Sequence, residues 1–406
     1  MRRIVRTFSA FIILAIVLVS ALTGYYIYYL PNSYYVSNGS RLELSCAFDI
    51  KSKGNNVTPA SFGDKGVMGS KVTLKLFGVV PIKEVSVRNV DAPLVIPGGN
   101  PFGIKLITEG VMVIGLSEVD CCEGNISPAE KSGIKAGDII VSINGNKITS
   151  KESIADAVMR SQGEKLVINV KRNSKLLTFE VLPKYSLSDS CYKSGMWVRD
   201  SSAGIGTITF YDPNTKMFGG LGHPVCDVDT GEILPLHSGE VVPVTINGLN
   251  KGRSGQPGEL VGSFISSFSM GSLLLNNQSG LFGELDSPPN KSYSMPIAYK
   301  QEVKKGKATI LTTLKGNTPK EYEIEIEKVD FKGNELSKNM IIKITDTELL
   351  EQAGGILQGM SGSPIIQNGK IVGAVTHVFV NDPTRGYGIF SETMYNYTRK
   401  LADNAA

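Results

Sequence analysis

Histidine is scarce in this chain: three among 406 residues, His223, His237 and His377. Any chemistry that needs an imidazole has only these places to draw on. Cysteine is nearly as thin, at Cys46, Cys121, Cys122, Cys191 and Cys226, with no CxxC spacing and no paired histidines nearby. That excludes a recognisable metal pattern, and the odd count leaves at least one thiol unpaired in a monomer, so no disulfide framework is indicated. Charge of either sign is weak. The net value is +4, and no basic run is interleaved with aromatics, which argues against nucleic acid as a partner. With 41% apolar and 20% charged residues, wholesale disorder is excluded as well.

One long apolar run is present. Arg2, Arg3 and Arg6 precede an uncharged stretch from Thr7 to Ser40, apolar from Phe11 to Val19 and again from Tyr25 to Leu30. About twenty such residues span a bilayer. The leading arginines predict a cytoplasmic N-terminus and a translocated C-terminal bulk. Residues 1–31 read as a signal-anchor; the alternative is a cleaved signal peptide, with Val19-Ser20-Ala21 as the small-residue site.

Residues 32–100 read as a small β region, with alternation at Lys71–Phe77 and Glu84–Val87 and a polar loop over Lys51–Gly69. Residues 101–185 show a sharper order. A strand at Gly110–Gly115 precedes a short helix from Ser127 to Gly133. A strand and an Asn144-Gly145 hairpin follow, then a helix from Ser150 to Arg160 and two alternating strands. The string from Pro128 to Ile148 resembles a PDZ domain, an α+β fold. The resemblance implies that the Phe102-Gly103-Ile104-Lys105 loop offers backbone N–H groups to a peptide or protein C-terminus. From about 195 to 406 the chain is Gly-rich and strand-rich, which predicts a barrel or sandwich.

The most chemical stretch is Gly359-Met360-Ser361-Gly362-Ser363-Pro364, followed by two apolar strands split by Asn368-Gly369. Small residues around a serine permit a sharp turn and close approach of a carbonyl, and they leave N–H groups free to face an oxyanion. The arrangement resembles the nucleophile loop of chymotrypsin-type peptidases. Such a serine needs a base. His223, in Gly219-Gly220-Leu221-Gly222-His223-Pro224, is the best placed of the histidines. His237 lies in a polar loop. His377 reads as a pocket wall or a satisfied core or edge residue. For a carboxylate to orient the base, Asp346 follows a strand and precedes Glu348-Leu349-Leu350. It reads equally as a helix cap, and Asp227, Asp229 and Asp382 remain rivals.

Taken together, the anchor, the PDZ-like module, Gly-Leu-Gly-His-Pro, the run from Gly354 to Lys370 and Gly-Ala-Val-Thr-His-Val-Phe-Val-Asn-Asp-Pro resemble the SpoIVB-type serine peptidases of spore-forming Firmicutes. The resemblance implies a mainly β chain ending in a chymotrypsin-like double β-barrel over 195–406. It also implies a catalytic His223, Asp346 and Ser361, an oxyanion hole from the N–H groups of Gly359 and Ser361, and no metal or other cofactor. The implied substrates are the chain itself and a membrane-bound regulator of an intramembrane protease. The implied place is the forespore membrane, with release into the intermembrane space. The rival is a non-enzymatic membrane-anchored PDZ adaptor. Quality-control proteases of the HtrA kind place PDZ after the protease, the reverse of the order here.

Overall fold

Apolar residues alternate along much of the chain, and strands follow that period. The computed structural model describes residues 2–37, 42, 44, 50–53, 70–265, 268–290, 293–332 and 335–405. Cys46 and the loop expected over Lys51–Gly69, from residue 54 onward, lie outside them; Lys51 to Lys53 are strand.

Arg2–Tyr29 is one helix, and its Arg6–Tyr29 portion is long and apolar enough to cross a membrane. It ends on the body: Tyr26 and Leu30 are buried with Tyr34, Leu74 and Val85. The sheet beneath orders Ser33–Val36, Val80–Asn89, Ser70–Leu76 and Ile50–Lys53. Tyr29 donates from its hydroxyl to the Val329 carbonyl at 2.9 Å, tying the helix end to the C-terminal region.

Two closed β structures follow. In the first, antiparallel pairings run from Pro101–Leu116 to Leu236–Asn250, Gly271–Asn277, Gly280–Leu285, Met217–Gly220 and Met196–Tyr211, and back to Pro101–Leu116. Phe102, Ile104, Leu106, Phe218, Leu221 and Val241 fill it. The second barrel closes Gly306–Thr312, Lys320–Val329, Met340–Ile344, Asp382–Phe390, Lys370–Phe379 and Pro364–Gln367. Its Pro364–Gln367 and Lys370–Phe379 strands turn at Asn368 and Gly369, φ 52° and 74°, the positive pair a tight hairpin requires. The helix Ser391–Ala405 returns to the first barrel, where Tyr395 donates to Asp212 at 3.1 Å.

The PDZ module has the expected helices, Pro128–Ser132 and Lys151–Arg160, and the Asn144-Gly145 turn, φ 50° and 79°. Its borders differ from expectation. Pro101–Leu116 is a single strand that bends at Gly110 (φ 82°). Residues before the bend belong to the first barrel, and Val111 and Met112 pair with Ile140 and Ile139 of the PDZ sheet. Met196–Tyr211 is divided the same way, so the PDZ module is inserted between neighbouring barrel strands. Phe102, Gly103, Ile104 and Lys105 are therefore not a peptide-binding loop. They pair with Ala203–Gly206 on one side and Glu240–Pro243 on the other, which occupies both edges. The reason is hydrophobic: Phe102 and Ile104 are buried in the barrel core.

Inside the PDZ module Asp138 is 1% exposed and receives Arg172 through Nε at 2.5 Å and Nη2 at 2.6 Å. Removing the guanidinium leaves a buried carboxylate without its counter-charge. Arg172→Met is expected to cost about 3 kcal/mol in chemical denaturation; an unchanged midpoint contradicts this account of the module.

Candidate active site

The serine loop sits where the barrels meet. Gly359 and Gly362 take φ 94° and 98°, and a Cβ on Gly362 would lie 1.9 Å from the Thr207 carbonyl oxygen, so no other residue fits there. The first barrel grips the loop from that side. The Thr207 N–H donates to the Ser361 carbonyl at 3.0 Å and its hydroxyl to the Gly359 carbonyl at 2.8 Å. The Thr209 hydroxyl donates to the Gly362 carbonyl at 2.7 Å. Both threonines are buried.

The two serines separate cleanly. Ser363 is fully buried and donates to the Met360 carbonyl at 2.7 Å, a closed turn. Ser361 is half-buried, and its Oγ donates to the Thr376 carbonyl at 2.6 Å. The N–H groups of Gly359 and Ser361 have no acceptor among the described residues, whereas Gly362 donates to Val375 and Ser363 to Met360.

His223 is brought to the same spot by a tight turn. Leu221 and Gly222 have φ 64° and 70°, and Gly222 packs so closely that a Cβ would lie 2.8 Å from the Thr376 methyl. The Nδ1 of His223 lies 2.8 Å from the Pro224 carbonyl oxygen. A carbonyl only accepts, so Nδ1 carries the proton and Nε2 keeps the lone pair. Burial holds the imidazole below its ordinary pKa, partly offset by that bond, so it is neutral and basic at neutral pH. The ring of His377 faces it, centroids 4.6 Å apart. Burial pushes His377 down to about 4, with His223 and Lys338 adding to the effect and Glu335 opposing it. His237 is exposed.

The carboxylates are elsewhere. Asp346 caps the helix Thr347–Ala353, accepting from the N–H of Leu349 at 3.0 Å and of Glu323 at 3.3 Å, and makes no hydrogen bond to His223. Of the alternatives noted, capping is what the structure displays. Asp227 and Asp229 are held by Arg199, and Asp382 by Thr384 and Arg385. The group that fixes the His223 tautomer is a backbone carbonyl, which no residue pattern reveals. Thr207, Thr209 and Asn276 were also missed. Asn276 pins the loop after His223, accepting from the Val225 N–H and donating to the Val225 and Leu234 carbonyls. The alternation of Thr207 and Thr209 along one strand is the signal that could have found the threonines.

An open serine, a neutral imidazole and two free N–H groups between barrels are the parts of a serine peptidase. The comparisons agree. The family model of the SpoIVB peptidase S55 matches residues 190–395, and that of a PDZ domain matches residues 105–182. The chain belongs to the SpoIVB peptidase family and carries a PDZ domain. It is 38% identical over 58 residues to serine protease HTRA1 of Xenopus tropicalis, 14% of this chain and 12% of that protein. It is 31% identical over 136 residues to a DegP-like periplasmic serine endoprotease of Bartonella henselae, 32% of this chain and 26% of that one. The chain spans about a quarter or less of the curated relatives it matches. Among solved structures, the PDZ domain of an SdrC-like protein from Listeria monocytogenes matches at 23% identity. That match covers 22% of this chain and 87% of that one, with a TM-score of 0.19.

Two outcomes follow from the geometry. Asp346→Ala is expected to lower stability by about 1 kcal/mol, the usual worth of a cap, read by denaturation; no loss contradicts the capping role. As pH falls from 6.5 toward about 4, protons bind the His377 of the unfolded chain first. The stability carried by its neutral form is full above that range and is lost through it. His377→Phe is expected to flatten the fall in melting temperature across the window, and an unaltered pH profile contradicts the depressed imidazole.

Proposed function

We propose that the chain is a membrane-anchored, self-processing serine endopeptidase that acts as an intercompartmental signal in sporulation. The observation that carries the reading is that Thr376 joins the two residues where the barrels meet: its carbonyl accepts from the Ser361 hydroxyl and its methyl packs against Gly222, next to His223. The arginines at the start and the Arg6–Tyr29 span support a body held across the forespore membrane, freed into the intermembrane space after cleavage. Its substrates are its own chain and a membrane-bound regulator, whose cutting frees an intramembrane protease to activate the late mother-cell sigma factor. The PDZ module receives a peptide or protein C-terminus.

The chemistry is acyl transfer. Ser361 turns its hydroxyl from the Thr376 carbonyl to His223 Nε2, which takes the proton as Oγ attacks the scissile carbonyl. The N–H groups of Gly359 and Ser361 receive the oxyanion. The imidazolium, its Nδ1–H held by the Pro224 carbonyl, gives its proton to the leaving amine. Water then repeats the cycle and releases the acyl half.

Mass mapping of fragments from the full chain tests this. The wild type is expected to yield defined fragments and Ser361→Ala at least about 10³-fold less, while Ser363→Ala still cleaves. Identical patterns in all of them, or no cleavage in any, point to the adaptor.

A further inference from the structure

We propose that His377 is a positioning residue for His223, supplying from the second barrel the support that a carboxylate gives the base in other serine peptidases. This rests on the reading of His223 as the general base.

The two rings form one unit across the barrel interface, His223 from the first and His377 from the second. Their centroids are 4.6 Å apart and their planes are tilted by 36°. His377 is fixed by its strand. Its neighbour Thr376 accepts from Ser361 through the carbonyl and donates from its hydroxyl to the Ser337 carbonyl at 2.7 Å. A Cβ on Gly386 would lie 2.6 Å from the His377 carbonyl oxygen, so the next strand is equally close. One short segment, Thr376–His377, therefore holds the nucleophile by its backbone and the base by its side chain.

Among the described residues no carboxylate is hydrogen-bonded to His223. The Pro224 carbonyl fixes which nitrogen of His223 is protonated and belongs to the adjoining residue, whereas His377 meets the ring from the other barrel. A neutral aromatic face within about 6 Å also attracts the imidazolium that forms when His223 accepts the serine proton. His377 is neutral at neutral pH, because burial holds its imidazole down at about 4. The charged groups that face the pair, Lys338 and Glu335, are of opposite sign. The Nδ1 of His377 is buried and has no hydrogen-bond partner, which fits a ring kept for its face rather than for its polar edge.

The test is the pH profile of cleavage of a peptide spanning a mapped self-cleavage site, with the full-length protein. His377→Ala is expected to lower kcat about tenfold or more with KM changed little, the worth of one ring face on a cation. Its acid limb should move to lower pH, because the imidazolium of His223 loses the ring face that attracts it. His377→Phe keeps a face and is expected to restore most of kcat and leave the limb near its wild-type position. Melting temperatures at pH 7 separate these effects from misfolding. If His223→Ala abolishes cleavage while His377→Ala leaves kcat and the limb unchanged, this inference fails alone. A rise confined to KM also overturns it, in favour of a pocket wall. If His223→Ala cleaves normally, the reading of the base fails and takes this one with it.

Discussion

The contact on which the site depends is the grip of the Met196–Tyr211 strand on the serine loop. Three hydrogen bonds from Thr207 and Thr209 reach the carbonyls of Gly359, Ser361 and Gly362. They turn those carbonyls toward the first barrel, and the N–H groups of Gly359 and Ser361 are left without protein acceptors. Both threonines are buried, so water competes little for these bonds, and losing a donor would strand a carbonyl at a cost of about 1–3 kcal/mol. The grip fastens the loop that carries Ser361 to the barrel that carries His223.

That same strand reaches into the PDZ sheet. Trp197, Val198 and Arg199 pair with residues Met112 to Gly115, and the strand then passes through Ser201–Thr207 beside Phe102 and Ile104 to the threonines. Arg199 also ties the PDZ side to Asp227 and Asp229, just after His223. The insertion thus makes one continuous piece of backbone serve the PDZ module, the first barrel and the nucleophile loop. The module is built into the peptidase rather than strung before it.

Much of this was legible in the sequence, because it is local. The Asn-Gly turns, the PDZ helices and the Gly-Met-Ser-Gly-Ser-Pro turn each depend on a few adjacent residues whose φ values only certain side chains accept. The roles that failed to appear are those set by distant partners. Phe102 to Lys105 look like a loop entry until a strand more than a hundred residues later, Leu236–Asn250, pairs with their second edge. Asp346 sits at a strand end in both readings; only the third dimension shows its oxygens turned to its own helix. The carbonyl that orients His223 has no residue type at all. The His377 ring is visible in the sequence, yet its partner is 154 positions away (377 − 223).

The most direct test of the central claim is covalent labelling of the full-length protein with a fluorophosphonate, followed by peptide mapping. A hydroxyl activated by His223 is expected to give one adduct on Ser361, kept in Ser363→Ala and much slowed in His223→Ala. No adduct on Ser361, or one formed equally fast without His223, contradicts the account.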